Sequence, residues 1–163
     1  MILRPAGPCD APRIAAIWNP EIRESAITFD SIEKTDADVA ELIDARASAG
    51  HAFLVVEDPD GECLGFATYF QFRGGVGYAR TMEHTIVLAP GARGRGLGRA
   101  LMAAVEDHAR AGGAHSIFAG VSSGNPAGLA FHARLGFVEA AVLREAGWKF
   151  GRWFDLHLMR KML

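Results

Sequence analysis

A short glycine- and arginine-rich segment contains the residues of this sequence that are best suited to bind an anion. The segment runs from Arg93 to Arg99 and reads Arg-Gly-Arg-Gly-Leu-Gly-Arg. Glycine permits positive φ angles and a close approach of the backbone to a ligand, and N–H groups at the start of a helix point toward negative charge. The segment therefore predicts a turn that binds phosphate.

The spacing of the glycines argues against the two most common phosphate-binding loops. A nucleoside-triphosphate loop needs a Lys-Ser or Lys-Thr pair after its last glycine, and none follows Gly98. A dinucleotide fold needs Gly-x-Gly-x-x-Gly, but Gly94 and Gly96 are followed by Arg99 at the third glycine position. A glycine-rich surface turn with solvated arginines remains the alternative interpretation of the motif on its own.

The periodicity of apolar residues places this segment between a strand and a helix. The run Tyr78–Leu88 has a strand pattern, and the stretch from Arg95 to Gly112 has apolar residues at helical spacing. Further helices are predicted from Asp10 or Cys9, from Thr35 or Asp36, and from Asn125 through Leu135, the first with a break at Asn19-Pro20. Further strands are predicted at Ile2–Arg4, Ala52–Glu57, Cys63–Phe72, Ser116–Val121, Phe137–Leu143 and Trp153–Met162.

Composition and charge exclude several classes of protein. The 163 residues are half hydrophobic and carry 17 Lys plus Arg against 19 Asp plus Glu, a net charge of -2. This balance gives no general case for binding nucleic acid or an anionic membrane, and no apolar run approaches the ~20 residues of a membrane span. Cys9 and Cys63 match neither a zinc spacing nor a disulfide framework. We therefore expect one cytoplasmic domain over residues 1–163, with no metal.

The motif Arg-x-x-Gly-x-Gly, between a strand and a helix, resembles the pyrophosphate-binding motif of the GNAT superfamily of N-acetyltransferases. Three further segments sharpen the resemblance: Glu83-His84-Thr85, the stretch from His132 to Phe137, and Lys149-Phe150-Gly151 with Trp153. Together they are similar to the phosphinothricin and methionine sulfone or sulfoximine N-acetyltransferases over nearly the whole chain. The resemblance implies an α/β (α+β) GNAT fold, a central mixed, mostly antiparallel sheet of six to seven strands flanked by about four helices.

The resemblance also implies a path for acetyl-CoA. The coenzyme would lie along the end of the predicted strand, on the turn and near the start of a later helix, at Ile86, Val87, Leu88, Arg93, Gly94, Arg95, Gly96, Leu97, Gly98, Arg99 and Asn125. Strand geometry agrees, because Glu83 to Leu88 spans roughly 17 Å at ~3.3 Å per residue, comparable to an extended pantetheine arm. A diphosphate at the turn would leave the thioester near Glu83.

Two side chains are candidates for proton transfer. Glu83 could take a proton from an aliphatic ammonium, directly or through one water, although a glutamate is ordinarily solvated. A backbone N–H freed from sheet pairing between Ile86 and Leu88 could stabilise the thioester oxygen. The resemblance makes His132 the general acid for the departing thiolate; a hydrogen-bonded helix histidine is the alternative. A regular strand would point His84 to the other face from Glu83, so no role is expected for it.

The acceptor is expected to be the α-amine of a small amino-acid analogue. Arg73 and Arg80 could bind its carboxylate, with Phe29, Tyr78, Lys149 and Trp153 completing a polar pocket. The glycine-rich stretch Gly74–Gly77, directly after Arg73, departs from the pattern of the apparent relatives. A peptide N-terminus or a polyamine is the alternative acceptor, and a non-catalytic CoA-binding sensor is the alternative class. The resemblance further implies a homodimer in which a residue of the neighbouring subunit lies near the acceptor site, and Phe29 is the candidate for that residue.

Overall fold

The computed structural model describes residues 1–163 as seven strands and four helices. The strands β1–β7 are Ile2–Pro5, Phe53–Glu57, Cys63–Gln71, Thr81–Leu88, Ser116–Ser122, Val138–Lys149 and Arg152–Met162. The helices α1–α4 are Ala11–Glu24, Asp36–Ser48, Leu97–Ala111 and Pro126–Arg134. None of the helices combines the length and the apolar character needed to cross a membrane.

All seven strands belong to one sheet with the order β1-β2-β3-β4-β5-β7-β6. Every neighbouring pair is antiparallel except β4 and β5, which are parallel. A parallel pair needs a crossover connection, and α3 supplies it between β4 and β5. The predicted fold, a mixed and mostly antiparallel sheet with about four helices, is confirmed.

The helices cover both faces of the sheet. On one face, α1 and α2 bury a cluster that includes Ile14, Ile22 and Ile43 against residues of β2, β3 and β4. On the other face, α3 buries Leu101 and Val105 against the same strands and β5, and residues of α4 pack at the edge of this second cluster. Because side chains alternate along a strand, β4 presents different residues to the two helical layers.

The predicted break in the first helix at Asn19-Pro20 is wrong, because α1 continues through Pro20 to Glu24. Proline removes one backbone donor and crowds the preceding turn. The side chain of Ile22, beyond the proline, is completely buried, and this burial favours continuing the helix. Asn19 instead fastens the following loop, since its side-chain amide exchanges two hydrogen bonds with the backbone of Lys34, at 2.8 and 2.9 Å.

Two strand boundaries also differ from the prediction. The fourth strand begins at Thr81 rather than Tyr78, because Gly75 has a φ of 103° and Val76–Tyr78 forms a 3-10 turn. The sixth strand runs six residues past Leu143 to Lys149, with irregular pairing to β7 between Leu143 and Gly147. Its exposed outer residues carry no period-two pattern, so sequence periodicity could not detect them.

Candidate active site

The fourth and fifth strands separate after a short paired region. Their register covers only Thr81–Glu83 of β4, although β4 continues to Leu88 and β5 to Ser122. The Thr81 carbonyl and the Ala89 N–H point to β3, whereas the Arg80 carbonyl points to β5. Alternation along β4 therefore turns the backbone groups of Ile86 and Leu88 into the gap. Main-chain donors and acceptors of this kind are available to a ligand.

The turn before α3 has the geometry that its glycines predict. Gly94 and Gly96 have φ angles of 75° and 80°, values that favour glycine, and a Cβ at either position would meet nothing within 4 Å. Gly96 is the N-cap of α3 and makes no side-chain capping bond. The first N–H groups of α3 therefore have no side-chain partner at the cap and face open space, as an anion site requires.

The third glycine has a packing role. A Cβ on Gly98 would lie 3.1 to 3.3 Å from side-chain atoms of Phe131 and Leu88, which is tighter than ordinary contact. Glycine at this position lets the start of α3 approach α4 and β4 closely.

A large cavity of about 530 Å³ connects the turn to the gap between β4 and β5. It is lined by most of the residues predicted to bind the coenzyme: Ile86, Val87, Leu88, Arg93, Gly94, Gly96, Gly98, Arg99 and Asn125. Arg95 and Leu97 do not line it; Arg95 is exposed, and Leu97 is buried in the core beneath α3. Arg134, at the end of α4, also lines the cavity and was not predicted, although it lies within the stretch from His132 to Phe137 that carries the resemblance.

Asn125 combines the two roles considered for it. Its side-chain oxygen accepts a hydrogen bond of 2.9 Å from Gly128 N–H, so it is the N-cap of α4. The same side chain lines the large cavity and a second one. The capping bond therefore fixes the position of a residue that borders both cavities.

The second, small cavity has a volume of about 290 Å³ and adjoins the first. The two share Ile27, Ile86, Val87, Asn125 and His132, so they meet where β4 and β5 diverge. The small cavity is also lined by Trp18, Glu21, Thr28, Phe29, Glu83, His84, Thr85, Leu156 and the β5 residues Ala119–Ser122. It contains two carboxylates and no lysine or arginine.

Glu83 projects into the small cavity from the last position at which β4 pairs with β5. A Cβ on Gly120 would lie 3.1 Å from its Oε1 atom, so the glycine leaves room for the carboxylate on β5. Burial raises the pKa of Glu83 above its ordinary value, with no opposing hydrogen bond. A carboxylate of raised pKa beside a cavity has the properties of a general base.

His132 lies where the two cavities meet and contacts a residue that the sequence did not suggest. Its Nδ1 atom is 2.7 Å from the carbonyl oxygen of Gly128, and its Nε2 atom is 3.2 Å from Nε2 of His84. Burial lowers the pKa of both imidazoles, that of His84 to about 3. His84 does point away from Glu83, as alternation predicts, but that face is the one on which α4 packs.

An ion pair connects the two cavities. The Arg93 guanidinium, which lines the large cavity, is paired with the carboxylate of Glu21, which lines the small one. The Glu21 side chain is 13% exposed and that of Arg93 is 52% exposed, so the pair is partly screened. Arg93 is thus shared between Glu21 and any anion bound at the turn.

Removing this competition is expected to strengthen coenzyme binding. In Glu21→Gln, Arg93 is released toward the turn, and the dissociation constant for CoA should fall about two- to fivefold at low ionic strength, as calorimetry would measure. Glu24→Gln is the matched control, because it removes the same charge from α1 at an exposed residue that pairs with Arg23. Equal CoA affinities in the two variants would show that the ion pair does not compete with the coenzyme.

Replacing Gly96 by alanine tests whether CoA binding requires the backbone conformation of the turn. Gly96→Ala would place an L-residue at a φ of 80°, which costs roughly 1–2 kcal/mol and favours rotation of the turn away from the binding conformation. CoA affinity is expected to fall by up to about tenfold. Gly50→Ala is the control, because Gly50 has a φ of 73°, equally open surroundings and no place in either cavity. Similar melting temperatures with unequal CoA affinities are expected; equal affinities would contradict a role for the turn.

Most of the residues predicted to bind the acceptor lie outside the two cavities. Arg73, Tyr78, Arg80 and Trp153 are exposed and line neither cavity, and the Arg73 guanidinium lies 5.8 Å from the centre of the Tyr78 ring. Phe29 does line the small cavity of its own chain. Sequence alone could not separate these positions, since all of them lie in loops or at strand ends.

Lys149 is buried and its ammonium group is already occupied. Its Nζ atom donates to the carbonyl oxygens of Ile22, at 2.6 Å, and Thr28, at 2.9 Å. Burial is the main cause that lowers its pKa. The side chain thereby ties the turn between β6 and β7 to the end of α1 and to the segment that contributes Thr28 and Phe29 to the small cavity.

A seven-stranded sheet that opens between β4 and β5, beside a glycine-arginine turn at the start of a helix, defines a coenzyme-dependent acyltransferase of the GNAT type. The chain belongs to the acetyltransferase (GNAT) family, which it matches over residues 18–137. Both the resemblance and the fold expected from it are therefore confirmed.

Proteins of known name with similar sequences indicate which acetyltransferases this chain resembles. The chain is 38% identical over 158 residues to the L-methionine sulfoximine/L-methionine sulfone acetyltransferase of Pseudomonas paraeruginosa, covering 97% of this chain and 92% of the relative. It is 36% identical over 155 residues to the phosphinothricin N-acetyltransferase of Alcaligenes faecalis, covering 94% and 78%. The structure of yncA from Salmonella typhimurium, solved with its cofactor acetyl-CoA, superposes with a TM-score of 0.95 at 33% identity, covering 100% and 94%.

Proposed function

We propose that this chain transfers the acetyl group of acetyl-CoA directly to the α-amine of a small amino-acid analogue of the phosphinothricin, methionine sulfone or methionine sulfoximine type. The observation that carries the proposal is the meeting of the two cavities beside the Glu83 carboxylate. The names of the relatives support the acceptor class. Direct transfer is favoured because the proposed roles require a base and no nucleophilic side chain.

The residues present fit acetyl-CoA. Open space above Gly94 and Gly96, main-chain donors at the start of α3 and the nearby Arg99 suit a diphosphate. Ile86 and Leu88 offer backbone groups to the pantetheine amides and to the thioester oxygen as it gains negative charge. When bound, the coenzyme supplies an acetyl group activated as a thioester.

Glu83 is the proposed base. An acceptor amine is an ammonium ion near neutral pH and must lose a proton before it can attack a carbonyl carbon. Glu83 takes this proton, either directly or through one water. Its raised pKa brings the carboxylate closer to the pKa of an amine, which improves the match for proton transfer.

His132 is the proposed proton donor to the departing thiolate. Its position at the meeting point of the cavities supports this role. Burial lowers its pKa, so the resting imidazole is neutral and must first gain a proton. The amine nitrogen loses a second proton as it becomes an amide, after the one taken by Glu83. This second proton is the one that converts the departing thiolate into the free thiol of CoA.

The acceptor's two charged groups need different partners. Its ammonium group suits the carboxylates of Glu21 and Glu83. For its carboxylate we propose Arg73 and Arg80, with Tyr78 and Trp153; these four line neither cavity, so the proposal requires an acceptor that extends beyond the small cavity, in which Phe29 lies. Lys149 contributes indirectly, by holding the segment that carries Phe29.

A polyamine is the second candidate acceptor, and a specific observation favours it. The lining of the small cavity has two carboxylates, Glu83 and the Arg93-paired Glu21, and no cationic side chain of its own, which suits a substrate with more than one ammonium group. A peptide N-terminus is a further alternative that shares the same chemistry at the amine. A CoA-binding protein without catalytic activity would not require a carboxylate at the position of Glu83.

An acceptor panel with free-thiol detection tests the function. The panel contains L-phosphinothricin, L-methionine sulfone, L-methionine sulfoximine, an alanyl dipeptide and spermidine, each with acetyl-CoA. We expect thiol release with one or more of the first three. Activity on spermidine or the dipeptide alone would reject the amino-acid acceptor, and CoA binding without thiol release would favour the sensor.

A cytoplasmic homodimer completes the proposal. The long hairpin of β6 and β7 exposes apolar side chains, with Trp148 and Trp153 packed edge to face at 5.0 Å. An exposed aromatic patch of this kind is typical of a protein interface. Light scattering should give twice the monomer mass, and a Trp148→Ser variant should shift the equilibrium toward monomer.

A further inference from the structure

The contact between His84 and His132 determines which nitrogen atoms carry hydrogen. A carbonyl oxygen can only accept, so the 2.7 Å contact with Gly128 requires a hydrogen on Nδ1 of His132. A neutral His132 then has a lone pair on Nε2. Nε2 of His84 lies 3.2 Å away and must be the donor in that contact.

The remaining nitrogen of His84 supports the same assignment. Its Nδ1 atom is buried and has no hydrogen-bond partner. When Nε2 of His84 is the donor, Nδ1 of His84 carries only a lone pair. In the reverse arrangement, with Nε2 of His132 as the donor, Nδ1 of His84 would be a buried N–H without an acceptor, and His132 would be charged. An unsatisfied acceptor is tolerated better than an unsatisfied donor, and a buried charge costs more than either.

Aromatic packing holds the pair in this geometry. His84 is 7% exposed and His132 is 6% exposed, with ring centroids 5.0 Å apart. Phe137 packs edge-on against both imidazoles, and Phe131 packs edge-on against His132. Neither ring is therefore expected to turn over freely.

We propose that His84 is a positioning residue that holds His132 as the neutral Nδ1–H tautomer by donating a hydrogen bond to its Nε2 atom. The inference deepens the proposed function, on which it rests for the role of His132, and it adds a residue for which no role was expected. In this tautomer the Gly128 carbonyl holds Nδ1–H of His132 and His84 occupies Nε2, so His132 can act as the acid only when Nε2 exchanges the His84 hydrogen bond for the second proton of the amine before the thiolate departs.

Charged groups around the pair come from several elements. In the small cavity α1 contributes Glu21 and β4 contributes Glu83, while the lining residues of β5 and β7 are uncharged. In the large cavity the turn contributes Arg93, and α3 and α4 contribute Arg99 and Arg134. None of these groups makes a hydrogen bond to either imidazole, so the histidine pair is expected to set its own tautomers.

Nitrogen NMR of the free protein tests the proposal without any need for activity. In protein labelled with ¹⁵N-histidine, long-range proton–nitrogen spectra at pH 7 should show His132 as the Nδ1–H tautomer and His84 as the Nε2–H tautomer. Signals are assigned with His84→Phe and His132→Phe. An Nε2–H tautomer or an imidazolium for His132 would overturn the proposal, even if the chain transfers acetyl groups as proposed.

Two variants separate hydrogen bonding from packing. A donor to Nε2 stabilises the neutral imidazole, so His84→Phe should raise the titration midpoint of His132 by up to about one pH unit. His84→Gln retains an N–H donor and should return the midpoint toward that of the wild type. A midpoint unchanged in His84→Phe would show that His84 only fills space. If His84→Phe does not fold, the wild-type tautomers and the glutamine variant still decide the question.

Discussion

Replacing Glu83 by glutamine is expected to lower kcat at neutral pH by about a hundredfold or more, while the dissociation constant for CoA stays unchanged. Glutamine nearly keeps the shape of the side chain between β4 and Gly120, but it cannot take a proton from an ammonium group. The coenzyme would be held by the turn and by the backbone of β4, which this substitution does not touch. Thiol release measures kcat, and calorimetry measures CoA binding.

Glu62→Gln is the matched control for this variant. Glu62 is an exposed glutamate after the turn that joins β2 and β3, so the substitution removes the same charge without entering either cavity. Its kcat should equal that of the wild type. A Glu83→Gln variant that kept a rate within about threefold of the wild type would reject Glu83 as the base, and Glu21 would then be the next carboxylate to test.

The pH dependence of the reaction is expected to report the same group. Burial raises the pKa of Glu83, and only its ionised form can act as a base. In the wild type, kcat/KM should therefore rise with pH through a limb that lies above the ordinary range of a glutamate, and this limb should be absent in Glu83→Gln. A wild-type limb at the ordinary glutamate value would contradict the effect of burial.

The raised pKa of Glu83 also has a consequence for stability. The folded protein disfavours the ionised carboxylate, so folding is weakened above the folded-state pKa, and the penalty disappears as pH falls below the ordinary value. Glu83→Gln should therefore raise the melting temperature at pH 8 and leave it unchanged at low pH. A lower melting temperature at pH 8 would mean that the ionised carboxylate makes favourable contacts in the fold.

Replacing Lys149 by methionine is expected to lower the free energy of unfolding by roughly 2–4 kcal/mol, because two buried carbonyl groups lose their donor. Methionine retains the apolar stem of the side chain, so the loss reports the hydrogen bonds of the ammonium group. The segment that carries Thr28 and Phe29 would be released from β6, and KM for the acceptor should rise more than KM for acetyl-CoA. Denaturant unfolding measures the first effect, and initial rates measure the second.

Arg144→Met provides the comparison for Lys149→Met. Arg144 lies on the same strand, but its side chain is 83% exposed, and its hydrogen bond to Asp155 is 3.4 Å long. This substitution should change the free energy of unfolding by less than about 0.5 kcal/mol. If Lys149→Met destabilised the protein no more than Arg144→Met, the hydrogen bonds to Ile22 and Thr28 would not contribute measurably to the free energy of unfolding.

Most of the coenzyme cavity could be predicted from local sequence, whereas the acceptor cavity could not. Gly94, Gly96 and Arg99 belong to one short motif, and a motif of this kind carries its own backbone geometry into the fold. The small cavity draws on α1, the loop after it, β4, β5 and β7, which are far apart in the chain. Lys149 shows the difficulty: its hydrogen bond to Ile22 spans 127 positions, and no spacing rule relates such residues.

His84 shows how correct local reasoning can miss a contact. Strand alternation correctly placed its side chain on the opposite face of β4 from Glu83. Which helix covers that face depends on the packing of α4, and α4 brings His132 to within 3.2 Å across 48 positions. Sequence pattern predicts the face of a strand, but it does not predict what packs against that face.

The amino-acid sequence by itself determined the order of strands and helices, the positive φ angles of the turn and the presence of a carboxylate within the strand that precedes the turn. These features depend on hydrophobic periodicity and on glycine, which act over a few residues. Only the tertiary structure decided where along β4 the separation from β5 begins, that Arg93 pairs with Glu21 and that His84 lies against His132. Such contacts depend on how the two helical layers pack on the sheet, and packing is a property of the whole chain.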